Sequence, residues 1–167
     1  SMYYNGYGTK QDYVKAFEYY RKAASHGNKD AQNEIRNIDY KSFNWHERAA
    51  NQGLPESQNI LGVMYLQGNK VNQDYGKAFE LFEKASIKGE AYASLNLGLM
   101  YLGGKGTNKD TKKAKKYFKK ACDGGWANSC YNLALSYANG EGVKQDYFKA
   151  NELFSEACDG GMTESCH

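Results

Sequence analysis

Four cysteines are the residues of this chain best suited to chemistry, and their spacing is regular. Seven residues separate Cys122 from Cys130, and the same number separates Cys158 from Cys166. Clustered cysteines form disulfides or bind zinc. The spacing is not the C-x-x-C of common zinc sites, and the three histidines show no paired ligand spacing. The pattern therefore favours disulfides over a metal site, and four cysteines allow three pairings.

The sequence contains none of the common motifs of a nucleophilic or phosphate-binding site. No serine is followed by lysine in an S-x-x-K arrangement, and neither G-x-S-x-G nor G-x-x-x-x-G-K-[ST] occurs. Asp74, Asp110 and Asp146 recur at a fixed interval of the chain, which indicates a turn or helix-cap role more than acid-base chemistry. We expect no catalytic residue, no metal and no cofactor.

A 36-residue period reveals the elements that position the cysteines. Small, apolar, aromatic and charged residues recur in register from residue 57 onward, as in Leu61, Leu97 and Leu133, or Phe82, Phe118 and Phe154. Within one unit the apolar residues have helical spacing on both sides of a glycine-containing break, which predicts a helix-turn-helix. The sequence thus predicts an all-α, right-handed α-α superhelix with a 36-residue period.

The units divide the whole chain, which we interpret as one domain of residues 1–167. The second unit has only 26 residues and lacks the segment that would carry the tyrosine and the glycine turn. The expected boundaries are 1–30 (partial), 31–56 (shortened), 57–92, 93–128, 129–164, and the start of a further unit at 165–167.

Charge and hydropathy narrow the classes of partner. The formal net charge of +3, from 22 Lys plus Arg against 19 Asp plus Glu, gives no reason to expect binding to nucleic acid. The longest apolar run, near residues 60–66, is far shorter than the roughly 20 residues of a bilayer-spanning helix, so no membrane insertion is expected.

The repeated pattern resembles the Sel1-like repeat family, which is related to tetratricopeptide repeats. The resemblance rests on Leu97-Gly98-Leu99-Met100-Tyr101, Gly104-Lys105-Gly106, Asp110, Lys113-Ala114, Tyr117-Phe118 and Ala121. The segments 121–130 and 157–166, with their A-C-D-G-G and S-C ends, look like the signature of the Helicobacter cysteine-rich proteins, a secreted subgroup of that family. The resemblance implies a bacterial, secreted protein.

In such a stack a short loop joins the second helix of one unit to the first helix of the next. Cys122 should therefore face Cys130, and Cys158 should face Cys166, whereas a Cys130–Cys158 bridge must cross between helix axes and is less favoured. Stable disulfides imply an oxidising compartment, so we expect a secreted or periplasmic protein.

The fold favours a scaffold that binds a protein or an extended peptide on the concave face of its first helices. In each first helix, the side opposite the repeated Leu and Tyr should face this concave groove. It supplies these candidate contacts: Asn96, Asn132, Met64, Met100, Ser136 and Asn139. Asparagine can both donate and accept hydrogen bonds, and methionine adapts to apolar groups. The alternative, a penicillin-binding or weakly β-lactamase-like protein, is implied only by the subgroup resemblance.

A run of lysines in the unit 93–128 has two interpretations. Lysines crowd residues 105–120, at Lys105, Lys109, Lys112, Lys113, Lys115, Lys116, Lys119 and Lys120. Such a run is usually a solvated outer helix face, but it also fits recognition of an acidic protein, lipid headgroup or glycan. Oligomeric state and the identity of the partner do not follow from the sequence.

Overall fold

The computed structural model describes residues 12–41 and 43–162, and this part of the chain contains α-helices and no strand. We number the helices in chain order. They are α1 (Tyr13–Ser25), α2 (Lys29–Lys41), α3 (Phe43–Asn51), α4 (Pro55–Gln67), α5 (Tyr75–Ile87), α6 (Ala91–Gly103), α7 (Thr111–Asp123), α8 (Ala127–Asn139) and α9 (Tyr147–Asp159).

The predicted period appears directly in the helix positions. First helices begin at Pro55, Ala91 and Ala127, and second helices begin at Tyr75, Thr111 and Tyr147. From α4 to α9 each helix packs mainly against its neighbours in the sequence, so the helix pairs α4–α5, α6–α7 and α8–α9 stack in order. The expected all-α repeat superhelix is confirmed.

The turn inside each full unit has the same construction. The first helix ends at a glycine in the left-handed region, with φ of 69° at Gly68 and 63° at Gly104. An aspartate then caps the second helix: the Asp110 carboxylate accepts the backbone N–H of Lys113 at 2.9 Å, and the Asp110 N–H donates to the carbonyl of Tyr101. Asp12, Asp74 and Asp146 form the same cap. These contacts agree with the interpretation of the repeated aspartates as caps.

A ring packed on a glycine joins the two helices of a unit. An added Cβ at Gly98 would lie 2.4 Å from the Phe118 ring, and one at Gly62 would lie 2.7 Å from the Phe82 ring. Both rings are fully buried. In the next unit Ala134 replaces the glycine, and Phe154 is only partly buried. The ring is thus fully buried in the two units in which it packs on a glycine.

Lysine and tyrosine side chains repeat a second contact across each pair. The ammonium groups of the lysines lie 5.1 to 5.3 Å from the tyrosine ring centroids, in the pairs Lys77–Tyr65, Lys113–Tyr101 and Lys149–Tyr137. A cation at this distance from an aromatic face is attracted to it. This contact explains why lysine and tyrosine recur in register.

The junctions between units confirm one of the expected disulfides. Cys122 at the end of α7 is bonded to Cys130 in α8, and their Cα atoms are 4.7 Å apart. The short loop brings the two helices together here, as the sequence argument required. The second expected pair, Cys158 with Cys166, includes a residue outside the described part of the chain.

The shortened unit consists of α2 and α3, and only residue 42 lies between them in the sequence. His46 occupies the position of the deeply buried phenylalanines of later units and is itself buried. Its ring nitrogen Nδ1 is 3.1 Å from the hydroxyl of Ser57 in α4. A buried polar ring needs a hydrogen-bond partner, and Ser57 provides one for the histidine that stands in place of phenylalanine.

Candidate functional site: the face of the first helices

The first helices leave a partly apolar surface uncovered. We define the first-helix face as the accessible side chains of α4, α6 and α8, namely Ile60, Val63, Gln67, Tyr92, Leu99, Leu135 and Asn139. Leu99 is 45% exposed, which is high for a leucine in the middle of a helix. Exposed apolar side chains grouped on one face mark a surface suited to an interaction.

Three of the six predicted contact residues lie deeper than the sequence argument assumed. Met100 is 1% exposed and belongs to the core between α5 and α6, and Met64 is also buried. Asn96 is buried, and its Nδ2 donates to Oδ1 of Asn59 at 3.1 Å. The cause is geometric: a first helix in a stack contacts a helix on each side, so a narrower strip of it remains exposed than on an isolated helix pair.

The other three predicted residues are more accessible, and all lie on α8. Asn132 and Ser136 are half-buried, and Asn139 is exposed. The hydroxyl of Ser136 donates to the carbonyl of Asn132 at 3.0 Å, one turn back in the same helix. Contact of these side chains with a ligand stays a prediction.

Three depressions lie on this face. One of about 410 Å³ is lined by Leu66, Leu99 and Leu102, with Asn96 and Met100 at its base. A second of about 270 Å³ lies along α4 and includes Val63 and Met64. The buried residues of the predicted stripe thus line the surface depressions although little of their own area is exposed.

The third and largest depression, about 770 Å³, combines aromatic and charged groups. We call it the aromatic groove and define it by Arg21, Glu56, Ile60, Glu90, Tyr92 and Trp126. It shares Ile60 and Tyr92 with the depression along α4, so the two are continuous. The groove therefore draws on α1, α4, α6 and the start of α8.

The charges of the aromatic groove are unevenly paired. Nη1 of Arg21 donates to Oε1 of Glu56 at 2.9 Å, so these two groups neutralise each other. Burial raises the pKa of the neighbouring Glu90 carboxyl, and the negative charge of Glu56 raises it further. The backbone N–H of Tyr92 and the charge of Arg21 oppose that shift. Ionised Glu90 is thus less well solvated than an ordinary surface carboxylate.

Tyr92 and Trp126 form the aromatic side of the groove. Their ring centroids are 4.8 Å apart, and 36% of Tyr92 and 38% of Trp126 remain exposed. Trp45, by contrast, is buried against Tyr13 and Phe17. The period did not reveal the exposed pair, because Tyr92 aligns with Asn128 and Trp126 aligns with Glu90. Two aromatic residues near successive loops were the only sequence signal.

The lysine run is largely occupied within the fold. The ammonium groups of Lys105 and Lys115 lie over the rings of Tyr75 and Tyr137 from neighbouring units, at 5.9 and 5.0 Å. Lys119 pairs with Asp123 at 2.8 Å, and Lys120 donates to the carbonyl of Ser86. These contacts give the run a structural role along the stack.

The two bonded cysteines lie close to a carboxylate. Cys122, Cys130 and Glu156 place ligand atoms within 4.8 Å of one another. Because a thiolate is the metal ligand of cysteine, the disulfide removes both sulfurs from that role in this state of the protein.

Within residues 12–41 and 43–162, each helix is too short or too polar to cross a lipid bilayer.

Comparison with known protein families locates the same periodicity. The Sel1 repeat model matches residues 1–28, 35–54, 55–90, 91–126 and 127–162. The matched segments cover most of the chain, and the last three are successive blocks of equal length. They begin at the starts of α4, α6 and α8.

Solved structures show the same architecture. A Sel1 repeat protein from Oxalobacter formigenes is 30% identical, with a TM-score of 0.73 over 98% of this chain and 71% of that one. Cysteine-rich protein B of Helicobacter pylori is 23% identical with a TM-score of 0.58, and the match covers 93% of both chains. An immunity protein of Pseudomonas aeruginosa is 20% identical with a TM-score of 0.57, over 95% and 65% of the two chains. At these identities the last two show the fold alone. The five matched repeats, together with the 30% identity to the Oxalobacter formigenes protein, establish that the chain belongs to the Sel1 repeat family.

Proposed function

We propose that this Sel1 repeat scaffold binds an extended segment of a partner protein along its first-helix face. The observation that carries the proposal is the exposed side chain of Leu99 in one depression of this face, together with two further depressions that are continuous with each other along α4. Several depressions on one face fit an extended peptide better than a compact small molecule, because successive side chains can enter successive depressions.

The proposed location is the periplasm or the outside of the cell. The Cys122–Cys130 disulfide supports it, because such bridges persist in oxidising compartments and are rare in the cytosol. Disulfide mapping of protein taken from its native source tests this part: a bridge present before extraction is expected, and free thiols at both positions would contradict it.

We further propose that residues 1–167 act as one repeat domain with the unit boundaries given above. Side chains bridge successive junctions, as in Gln32 to the Ala24 carbonyl, Gln58 to the Ala50 carbonyl, and Ser86 to Ser94. Such nearest-neighbour contacts couple adjacent repeats into one cooperative unit. The β-lactamase-like alternative gains no support, since none of the relatives described above is characterised as a hydrolase by its name.

Selection of random linear peptides against the full chain tests the binding function. Peptides that bind the wild type are expected to lose at least about tenfold in affinity for Leu99→Lys, since a charge in an apolar contact is costly. Ile87→Lys is the matched control: Ile87 is 80% exposed at the end of α5, outside all three depressions. Equal binding by wild type and Leu99→Lys, or loss only in Ile87→Lys, would overturn the proposal.

A further inference from the structure

The aromatic groove contains a carboxylate without a cation of its own. Within the described ranges 12–41 and 43–162, Arg21 forms its ion pair with Glu56, and no lysine, arginine or histidine nitrogen lies within 4.0 Å of the Glu90 carboxylate. Among the described residues, the Glu90 carboxylate accepts one long hydrogen bond of 3.3 Å, from the backbone N–H of Tyr92. A partly buried acid in this position gains from a cation supplied by a binding partner.

The aromatic pair in the same groove stays partly exposed although its two rings are in contact. Trp126 is the N-cap residue of α8, and its indole makes no capping hydrogen bond, whereas the aligned Glu90 caps α6 through its carboxylate. The indole instead lies against the Tyr92 ring at the surface. Aromatic faces next to a carboxylate are the groups that recognise a cation, through cation–π attraction and charge-assisted hydrogen bonds together.

The shape of the cation follows from these two surfaces. A guanidinium group is planar, stacks on aromatic rings and can donate two parallel hydrogen bonds to a carboxylate. An ammonium group is a compact, strongly hydrated charge that cannot stack on the rings as a planar group does. The protein as a whole carries a formal net charge of +3, so attraction of an arginine to this place must come from the local groups and not from the overall field.

We infer that the aromatic groove binds an arginine side chain of the partner segment, with the guanidinium paired to Glu90 and stacked on Trp126. The inference rests on the proposed peptide-binding function and specifies one position of the bound segment. Glu56 remains paired to Arg21, so Glu90 is the carboxylate of the groove that is available to the guanidinium. Ile60 and Phe17 offer apolar contact for the methylene groups of the arginine.

A double-mutant cycle on the full chain tests this inference. The probe is a peptide from the selection described above that contains arginine, measured alongside its Arg→Gln form. We expect Glu90→Gln to weaken the arginine peptide about tenfold and the glutamine peptide less than about twofold. Trp126→Leu should weaken the arginine peptide by a similar factor. Glu152→Gln, which alters an exposed acid on α9 outside the groove, is the matched control and should change neither affinity.

The outcomes separate this inference from the function on which it rests. If selected peptides bind the first-helix face but their affinity does not depend on arginine, or if Glu90→Gln weakens both peptide forms equally, the arginine site is wrong and peptide binding stands. If no peptide binding responds to Leu99→Lys, the proposed function fails as well. Self-association of the chain that Glu90→Gln abolishes would assign the groove to a second copy and overturn the inference.

Discussion

The hydroxyl oxygens of Ser86 and Ser94 are 2.7 Å apart and fully buried, at the positions that Cys122 and Cys130 occupy one repeat later. The same junction contact is a glutamine side chain donating to a backbone carbonyl in the earlier units, as Gln58 does to Ala50. Each junction thus uses residues eight apart to hold two helices together. The contact changes from a hydrogen bond to a covalent bond along the chain.

This series predicts that a disulfide can be moved to the earlier junction. We expect the double variant Ser86→Cys/Ser94→Cys to form an additional bridge under oxidising conditions, because the equivalent cysteines one repeat on are already bonded. A loop of this length should add about 2.6 kcal/mol to the free energy of unfolding. Chemical denaturation of the oxidised variant against the oxidised wild type measures the gain.

The control for that experiment is Ser86→Ala/Ser94→Ala, which removes the hydroxyl pair from both sides and should cost about 1 kcal/mol or less. Mass spectrometry without reduction counts the bridges. Free thiols at residues 86 and 94 after oxidation would show that the two junctions do not share one geometry.

Two glycines of the same helix, Gly98 and Gly103, are predicted to differ in how strongly substitution by alanine lowers the free energy of unfolding. The Cβ of Gly98→Ala would lie 2.4 and 2.5 Å from two atoms of the buried Phe118 ring, so we expect a net loss of about 1 to 2 kcal/mol after the gain in helix propensity. An added Cβ at Gly103, at the end of the same helix, would meet the Lys105 side chain at 3.8 Å, an ordinary contact distance, so Gly103→Ala should be neutral or stabilising. Equal stability of the two variants would contradict the ring-on-glycine packing.

Substitution by alanine at two serines in equivalent positions of the repeat is predicted to change the free energy of unfolding differently. Ser57 contacts the buried His46 ring, so Ser57→Ala should cost about 1 to 2 kcal/mol. The buried hydroxyl of Ser129 has no hydrogen-bond partner among the described residues, and Ser129→Ala should leave the free energy of unfolding unchanged or raise it by up to about 1 kcal/mol. Urea denaturation of both variants tests this, and a large loss for Ser129→Ala would disprove it.

Glu90 should make the protein less stable as the pH rises through the acidic range. Its folded-state pKa is raised by burial and by Glu56, so the folded protein holds this proton at pH values where the unfolded chain has released it. The contribution of Glu90 to stability is therefore present below the unfolded pKa and is lost as the pH rises through the folded pKa. Glu90→Gln cannot ionise and lacks this loss.

Thermal unfolding at several pH values gives the corresponding test. The melting temperature of Glu90→Gln relative to wild type should increase between about pH 3.5 and pH 7. Glu152→Gln, at an exposed position, serves as the control and should show no such trend. A relative melting temperature that falls with pH would mean that attraction to Arg21 and the helix N-terminus outweighs burial.

The helix pairs, their caps and the disulfide could be predicted because each depends on residues close in sequence. Asp110 caps a helix that begins at the next residue, and Cys122 lies only eight residues from Cys130. The packing of Phe118 on Gly98 also stays within one unit. A period read from one chain captures such contacts, since every unit repeats them.

The exposed part of the first-helix face was predicted less well, because it depends on how neighbouring units pack. Asn96 is buried by its hydrogen bond to Asn59, which belongs to the preceding unit. Tyr92 and Trp126 come together although they hold different places in the repeat. Periodicity identifies what the units share, whereas this part of the groove arises where adjacent units differ.

Site-specific photo-crosslinking tests the central claim, that a partner segment lies along the first-helix face. A benzophenone amino acid is placed at residue 99 in one variant and at residue 87 in another, and each is irradiated with a selected peptide. We predict an adduct from position 99, in the middle of α6, and none from position 87 at the end of α5. Adducts from position 87 alone would place the partner on the second helices and contradict the account.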